Sequence, residues 1–284
     1  MFSRVRRTLP AVALISLLLL SAGSAQGPET TYLNNGGSTQ DGLVAAAERG
    51  DLDALNAFIL RGARLDDHDR HGRTALIAAI DAGHMEIIHR LLEAGADVNA
   101  TKPDGWSPLM AAAQHGRRNT LAHLMVSGAA LQKRMPNGYT TLMAAVESRN
   151  SELVAELIDE GASANDGTDE GWTPLMAAAS RGLPDVVREL LAVGADPNAR
   201  NREAWTALLA AVQSGNEEVV QALVEGDADI NAAPWDGLTP LMRAAARGDH
   251  WMVSTLKETG RASTIDDLDD TNVSVDVVAN EPPR

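Results

Sequence analysis

The sequence predicts an all-α repeat solenoid of about seven units with a cap at each end, and three observations predict it. Leu43, Leu76, Leu109, Leu142, Leu175, Leu208 and Leu241 recur every 33 residues without an insertion. Each period opens with a Thr or Ser ahead of an Ala-rich run that ends near a Gly, the signature of a short capped helix. A second stretch with apolar residues at helical spacing follows, and then a Gly-marked loop. Self-similarity at a fixed period of this length marks a stack of identical small units, none of which can bury its apolar face without a neighbour.

In chain order, residues 1–25 read as a cleavable secretory signal. Arg4, Arg6 and Arg7 form a basic start, an apolar run extends from Ala11 to Leu20, and small residues lead to Ala25. That layout is a signal peptide, and the run is shorter than the ~20 apolar residues a membrane-spanning helix needs. Cleavage is expected after Ala25. A lipid-anchored version would need a Cys after the run, and the chain has none. Residues 26–38 are rich in Gly, Asn, Ser and Thr and read as a flexible leader. The repeat domain is expected over 39–265, and residues 266–284, with Asp266, Asp267, Asp269 and Asp270, read as an acidic disordered tail.

Within each unit, Thr74, Ser107, Thr140, Thr173, Thr206 and Thr239 are N-cap candidates, whose hydroxyls can accept from first-turn amides. Pro108, Pro174 and Pro240 sit one residue inside, where a missing N–H costs nothing. Small residues such as Ala111, Ala112 and Ala113 let neighbouring helices approach. Gly83, Gly116, Gly182, Gly215 and Gly248 end the first helix, since Gly accepts the left-handed exit. The second helix carries sets such as Val186, Val187, Leu190 and Leu191 at helical spacing, and ends near Gly95, Gly128, Gly161 or Gly194. The outermost units read as caps. The first starts DGLVAAAERG at Asp41, without the Thr-Pro opening, and the last puts Lys257 where the others carry Leu92, Met125, Ile158, Leu191 and Val224. A charge there suits an end with no further neighbour and a monomeric chain.

The strings GWSPLMAAAQHG from Gly105, GYTTLMAAVESR from Gly138 and GWTPLMAAASRG from Gly171, followed by LLEAGADVNA, LLAVGADPNA and LVEGDADINA in their own or other units, resemble the ankyrin repeat. That family has a 33-residue helix-turn-helix unit with a TPLH-like start and a GADVN-like turn, and the resemblance covers about residues 40 to 265 in seven in-register copies. It implies a protein-binding scaffold without cofactors, in which partners lie on the concave side formed by the hairpin tips and first helices.

Some positions depart from the pattern. Arg149 and Asn150 stand where Gly and its follower are expected, Thr120 replaces an apolar residue, and Gly226 and Asp227 are reversed relative to Gly194 and Ala195. The third and fourth units are therefore expected to be locally looser than the rest, with faster amide exchange than the fifth. Met110, Met143, Met176 and Met242 replace the family's His; they read as core filling between first helices.

Composition narrows the function. The formal charge is −15, and loss of three Arg and no acid with the signal takes it to −18. That opposes a phosphate backbone and an anionic membrane surface, so neither nucleic acid nor membrane is expected as a partner of the mature chain. With no Cys, an exported chain must hold together by packing alone and has no thiol chemistry. Trp supplies five of only nine aromatic residues, which makes their placement informative. The residue after the first Gly of each unit is Arg73, Trp106, Tyr139, Trp172, Trp205 or Leu238, so four consecutive units put a ring at one equivalent place. Stacking would line these rings into a stripe of the residue types that dominate interface hot spots, although rings at this position also cover hairpin necks. Trp235, beside Pro234 near a loop tip, is the strongest single candidate. Asp104, Glu170 and Glu203 at hairpin tips, and His115 and Arg181 closing first helices, complete the candidate contact set.

No catalytic constellation is apparent. The Gly residues are 33 apart rather than clustered into a phosphate loop, and the His residues are scattered. The one concentration is Asp66, Asp67, His68, Asp69 and His71, which lacks a metal-ligand spacing and reads as a solvated turn. The expectation is a non-enzymatic scaffold in the periplasm or outside the cell. Its partner is another exported protein carrying a basic patch; the alternative is a secreted effector that binds host proteins, and a third reading, below both, is a metal-binding or enzymatic role at the His68–His71 loop.

Overall fold

The computed structural model describes residues 39–258. The expected signal segment, leader and acidic tail, and the last seven positions of the expected repeat domain, lie outside them. The seven units each contribute two helices: α1 (Thr39–Arg49) and α2 (Leu52–Leu60), α3 (Ala75–Ala82) and α4 (Met85–Glu93), α5 (Pro108–Gln114) and α6 (Arg118–Val126), α7 (Thr141–Glu147) and α8 (Ser151–Asp159), α9 (Pro174–Ser180) and α10 (Pro184–Ala192), α11 (Ala207–Ser214) and α12 (Glu217–Glu225), α13 (Pro240–Ala246) and α14 (His250–Glu258). The described residues contain no β-strand; one isolated antiparallel bridge, Arg134 to Thr140, marks a hairpin neck.

Helices this short are not stable alone in water, because nucleation is costly and few bonds follow it. Capping and burial supply what is missing. All six expected N-caps form: the first-turn amides of Ile77, Met110, Met143, Met176, Leu209 and Met242 donate to Thr74, Ser107, Thr140, Thr173, Thr206 and Thr239 at 3.1–3.4 Å. Asp51, Asn150, Asn216 and Asp249 cap four of the second helices in the same way. The seven periodic Leu are at most 2% exposed, and the Ala runs beside them are buried. Met110, Met143 and Met176 are buried as expected, whereas Met242, in the last unit, is only half-buried.

First helices pack against first helices more closely than second helices against second helices. Ala on the inner layer and Leu, Val or Ile on the outer layer explain the difference. A stack spaced more tightly on one side bends towards that side.

Hairpins are tied from unit to unit by the Asn of the repeated turn. Asn99, Asn165 and Asn198 each donate to the carbonyl that follows the next second helix, at Gly128, Gly194 and Asp227, and each accepts from a backbone amide two residues later, at Ala130, Asp196 and Asp229. At the third unit the position is Gln132, which makes only the first bond, to Gly161.

Three left-handed positions lack the Gly that other units use. Arg149 has φ 60°, Ala204 has φ 61° and Asp227 has φ 62°. Arg149 thus takes the exit Gly position, as its alignment suggested. Gly226 and Asp227 need a different reading: the 33-residue step sets Asp227 against Gly194, and Gly226 has an ordinary φ of −84°. Ala204 is a further departure from the repeat, standing where Gly105, Gly138, Gly171 and Gly237 do. At two of these the requirement is also steric. A Cβ on Gly138 would lie 2.9 Å from the Asp169 amide nitrogen, and one on Gly171 would lie 2.9 Å from the Asn201 Cα.

Candidate partner-binding face

Each member of the ring stripe is held by two backbone bonds at its hairpin neck. Trp106 donates to Asp104 Oδ1 at 2.9 Å while its carbonyl accepts from Lys102 at 2.9 Å. Tyr139 donates to Asn137 Oδ1, Trp172 to Thr168 Oγ1 and Trp205 to Asn201 Oδ1. Local side-chain acceptors of this kind shape turns, so Asp104 has a structural task whatever else it touches. Neighbouring tips are zipped as well: the amides of Asp169 and Arg202 donate to the carbonyls of Asn137 and Glu170 at 2.8 Å.

The four rings are half-buried. Trp106, Tyr139 and Trp172 pack against the core, so they brace the necks while leaving part of each ring on the surface. Trp106 and Tyr139 meet with centroids 5.9 Å apart at 33°. The Trp205 ring lies under the Arg243 guanidinium, 4.7 Å from its centroid, a cation–π geometry. Arg243 stands where other inner helices carry Ala78, Ala111, Ala144, Ala177 and Ala210, and it also pairs with Asp236. Sequence reading missed this residue, although MRAAA against MAAA shows it. Trp235 is 82% exposed and Leu238 is 41% exposed.

The ends of the inner helices form a polar column. His115 meets Asp81 at 3.2 Å, Gln114 donates to Glu147 at 3.0 Å, and Arg181 pairs with Glu147 at 2.7 Å. Burial, and after it the Glu147 carboxylate, push the Tyr139 hydroxyl above the ordinary phenol range. At the first junction Arg73 replaces the ring. It bridges Glu48 and Asp69, and its hydrogen bond holds the Glu48 carboxyl below the usual carboxylate range. His115, Arg181 and Glu170, which pairs with Arg202, therefore work between units. Asp169 and Glu203 are exposed and make no ion pair among the described residues.

The Asp66–His71 loop is taken up by the fold. Asp69 is buried and accepts from the amides of His71 and Arg73; Asp66 accepts from the Asp97 amide, and His68 contacts the Thr101 carbonyl. Among the described residues no three His, Asp or Glu side chains converge to hold a metal.

Comparison with known proteins agrees with this architecture. The family model described as "Ankyrin repeats (3 copies)" matches residues 43–135, 118–201 and 190–267. The crystal structure of the human ASB11 ankyrin repeat domain is similar at 25% identity with a TM-score of 0.68, over 78% of this chain and 99% of that one. No curated protein matches the sequence. The chain belongs to the ankyrin-repeat family, whose members generally mediate protein–protein interaction on a scaffold that is typically non-enzymatic.

Proposed function

We propose that this ankyrin-repeat chain is a monomeric scaffold that holds a partner protein against its inner face and catalyses nothing. The observation that carries the reading is the run of rings Trp106, Tyr139, Trp172 and Trp205, each half on the surface, continued by the exposed Trp235. Large rings with few rotors gain the most per side chain on docking. The chain's charge of −15, with Asp169 and Glu203 unpaired on the same side, favours a partner with a basic patch. The basic, apolar and small-residue order of residues 1–25 supports action in the periplasm or outside the cell, on another exported protein.

The test is capture from the exported fraction of the source cell on immobilised chain, compared with two variants. Trp235→Ala removes an exposed side chain and leaves the fold intact. The quadruple Ala variant of Trp106, Tyr139, Trp172 and Trp205 is used only if it melts cooperatively. A protein held by the parent, weakened about tenfold or more by Trp235→Ala and further by salt, supports the reading. Equal retention by all three chains places binding elsewhere and overturns it.

A further inference from the structure

On the opposite side of the molecule, the second helices of the third and fourth units stand apart and leave an open groove between α6 and α8. One wall is apolar: Leu121, Met125 and Val126. The other is acidic: Glu156, Asp159 and Glu160. Val126 is 88% exposed. Its equivalents in the other units are Leu60, Glu93, Asp159, Ala192, Glu225 and Glu258, so four of the six are acids and, apart from the exposed Leu60 of the first unit, Val126 is the one large aliphatic side chain at this place. The corresponding groove between α8 and α10 differs; charges of both signs line it, with Glu152 on one wall and Asp185 and Arg188 on the other.

The acidic wall is also electrostatically unfavourable as it stands. Helix α8 contains no cation, and Asp159 and Glu160 lie at its C-terminal end, where the helix dipole is negative and prefers a positive charge. Arg118 bridges Glu152, in the first turn of α8, and Glu156, on the groove wall, so the chain supplies one guanidinium to four carboxylates. That contact shows what the wall accepts. Asp159 and Glu160 make no ion pair among the described residues.

We propose that this outer groove is a second docking surface, which takes a basic amphipathic helix of a partner protein. The groove runs between two helices and suits a third laid along it, with aliphatic side chains on Leu121, Met125 and Val126 and Lys or Arg on Asp159 and Glu160. This surface is separate from the ring stripe, and neither proposal depends on the other.

The probe is a fluorescently labelled helical peptide with Leu along one face and Lys beside it, titrated into the full chain and followed by anisotropy. A twin peptide carries Glu in place of Lys. The expected result is binding of the Lys peptide and not of its twin. Val126→Glu and Glu160→Lys should each weaken binding by about tenfold; Val126→Glu should leave the melting temperature within a few degrees because the side chain is exposed, and Glu160→Lys, which places a positive charge at the C-terminal end of α8, should not lower it. Trp235→Ala should leave it unchanged. Equal binding of the two peptides, equal binding by Val126→Glu, or no binding of the Lys peptide at about 1 mM overturns the proposal. So does self-association of the chain that Val126→Glu abolishes, since a second copy would then occupy the groove.

Discussion

The junction between the third and fourth units and that between the fifth and sixth are built from one template and share a close-packed inner layer, yet their outer layers and hairpin ties differ. At the fifth, Asn198 makes both of its bonds across the hairpin, α10 and α12 pack side by side, and Gly182 takes the left-handed exit of α9. At the third, Gln132 makes one bond, α6 and α8 are separated by a groove, and the left-handed exit of α7 falls to Arg149. What spans the gap is polar and partly exposed: Arg118 to Glu152 and Glu156, and Gln114 to Glu147. Exposed ion pairs contribute ~0–1 kcal/mol each, whereas packing of buried side chains contributes several. A regular sequence period therefore does not imply uniform packing along the stack: the first helices meet as closely at both junctions, and the difference lies in the outer layer, which closes at one and stays open at the other.

The largest test of this difference is truncation of an equivalent Leu on each side. Leu190 and Leu124 are both fully buried. Leu190→Ala should cost about 3–5 kcal/mol, near the upper end for such changes, and Leu124→Ala about 2–3, because α6 has room to relax into the space left behind. Denaturant midpoints decide it; equal costs would mean that the groove gives α6 no added freedom.

A smaller change should narrow the gap between the junctions. Arg149→Gly removes a non-Gly left-handed residue and should stabilise the chain by about 1 kcal/mol, raising the melting temperature by about 2–4 °C. Amide exchange in α7 and α8 should slow towards that of α9 and α10. Unchanged exchange would place the looseness in Gln132 and the groove instead.

The smallest effect concerns pH. The Tyr139 hydroxyl is raised by burial and by Glu147, so its neutral form is favoured in the folded state. Its contribution is fully present below about pH 10, the unfolded phenol value, and is lost as pH rises above it. Tyr139→Phe should flatten the alkaline fall in melting temperature. An unaltered alkaline profile would show that Tyr139 does not set it.

Much of the fold was legible because each feature is local. A Thr at an N-cap, a Pro just inside it and a Gly at a left-handed exit act within one turn, and the 33-residue period repeats them in register. Position on the stripe was legible for the same reason: Trp106, Tyr139, Trp172 and Trp205 hold one place in one repeat. Their exposure was not, since half-burial depends on how far neighbouring necks approach. The pairings of His115 with Asp81, Arg181 with Glu147 and Glu170 with Arg202 were equally hidden, because their partners lie in the adjoining unit.

The sequence by itself determined that this chain stacks seven helical pairs and where most of the first helices begin and end, since capping and periodicity are properties of a few consecutive residues. Only the tertiary structure decided that three stripe rings brace the core, that Arg243 covers Trp205, and that a groove stays open beside Val126. Those outcomes depend on distances between units, and a repeat period specifies which units are neighbours without specifying how closely each pair packs.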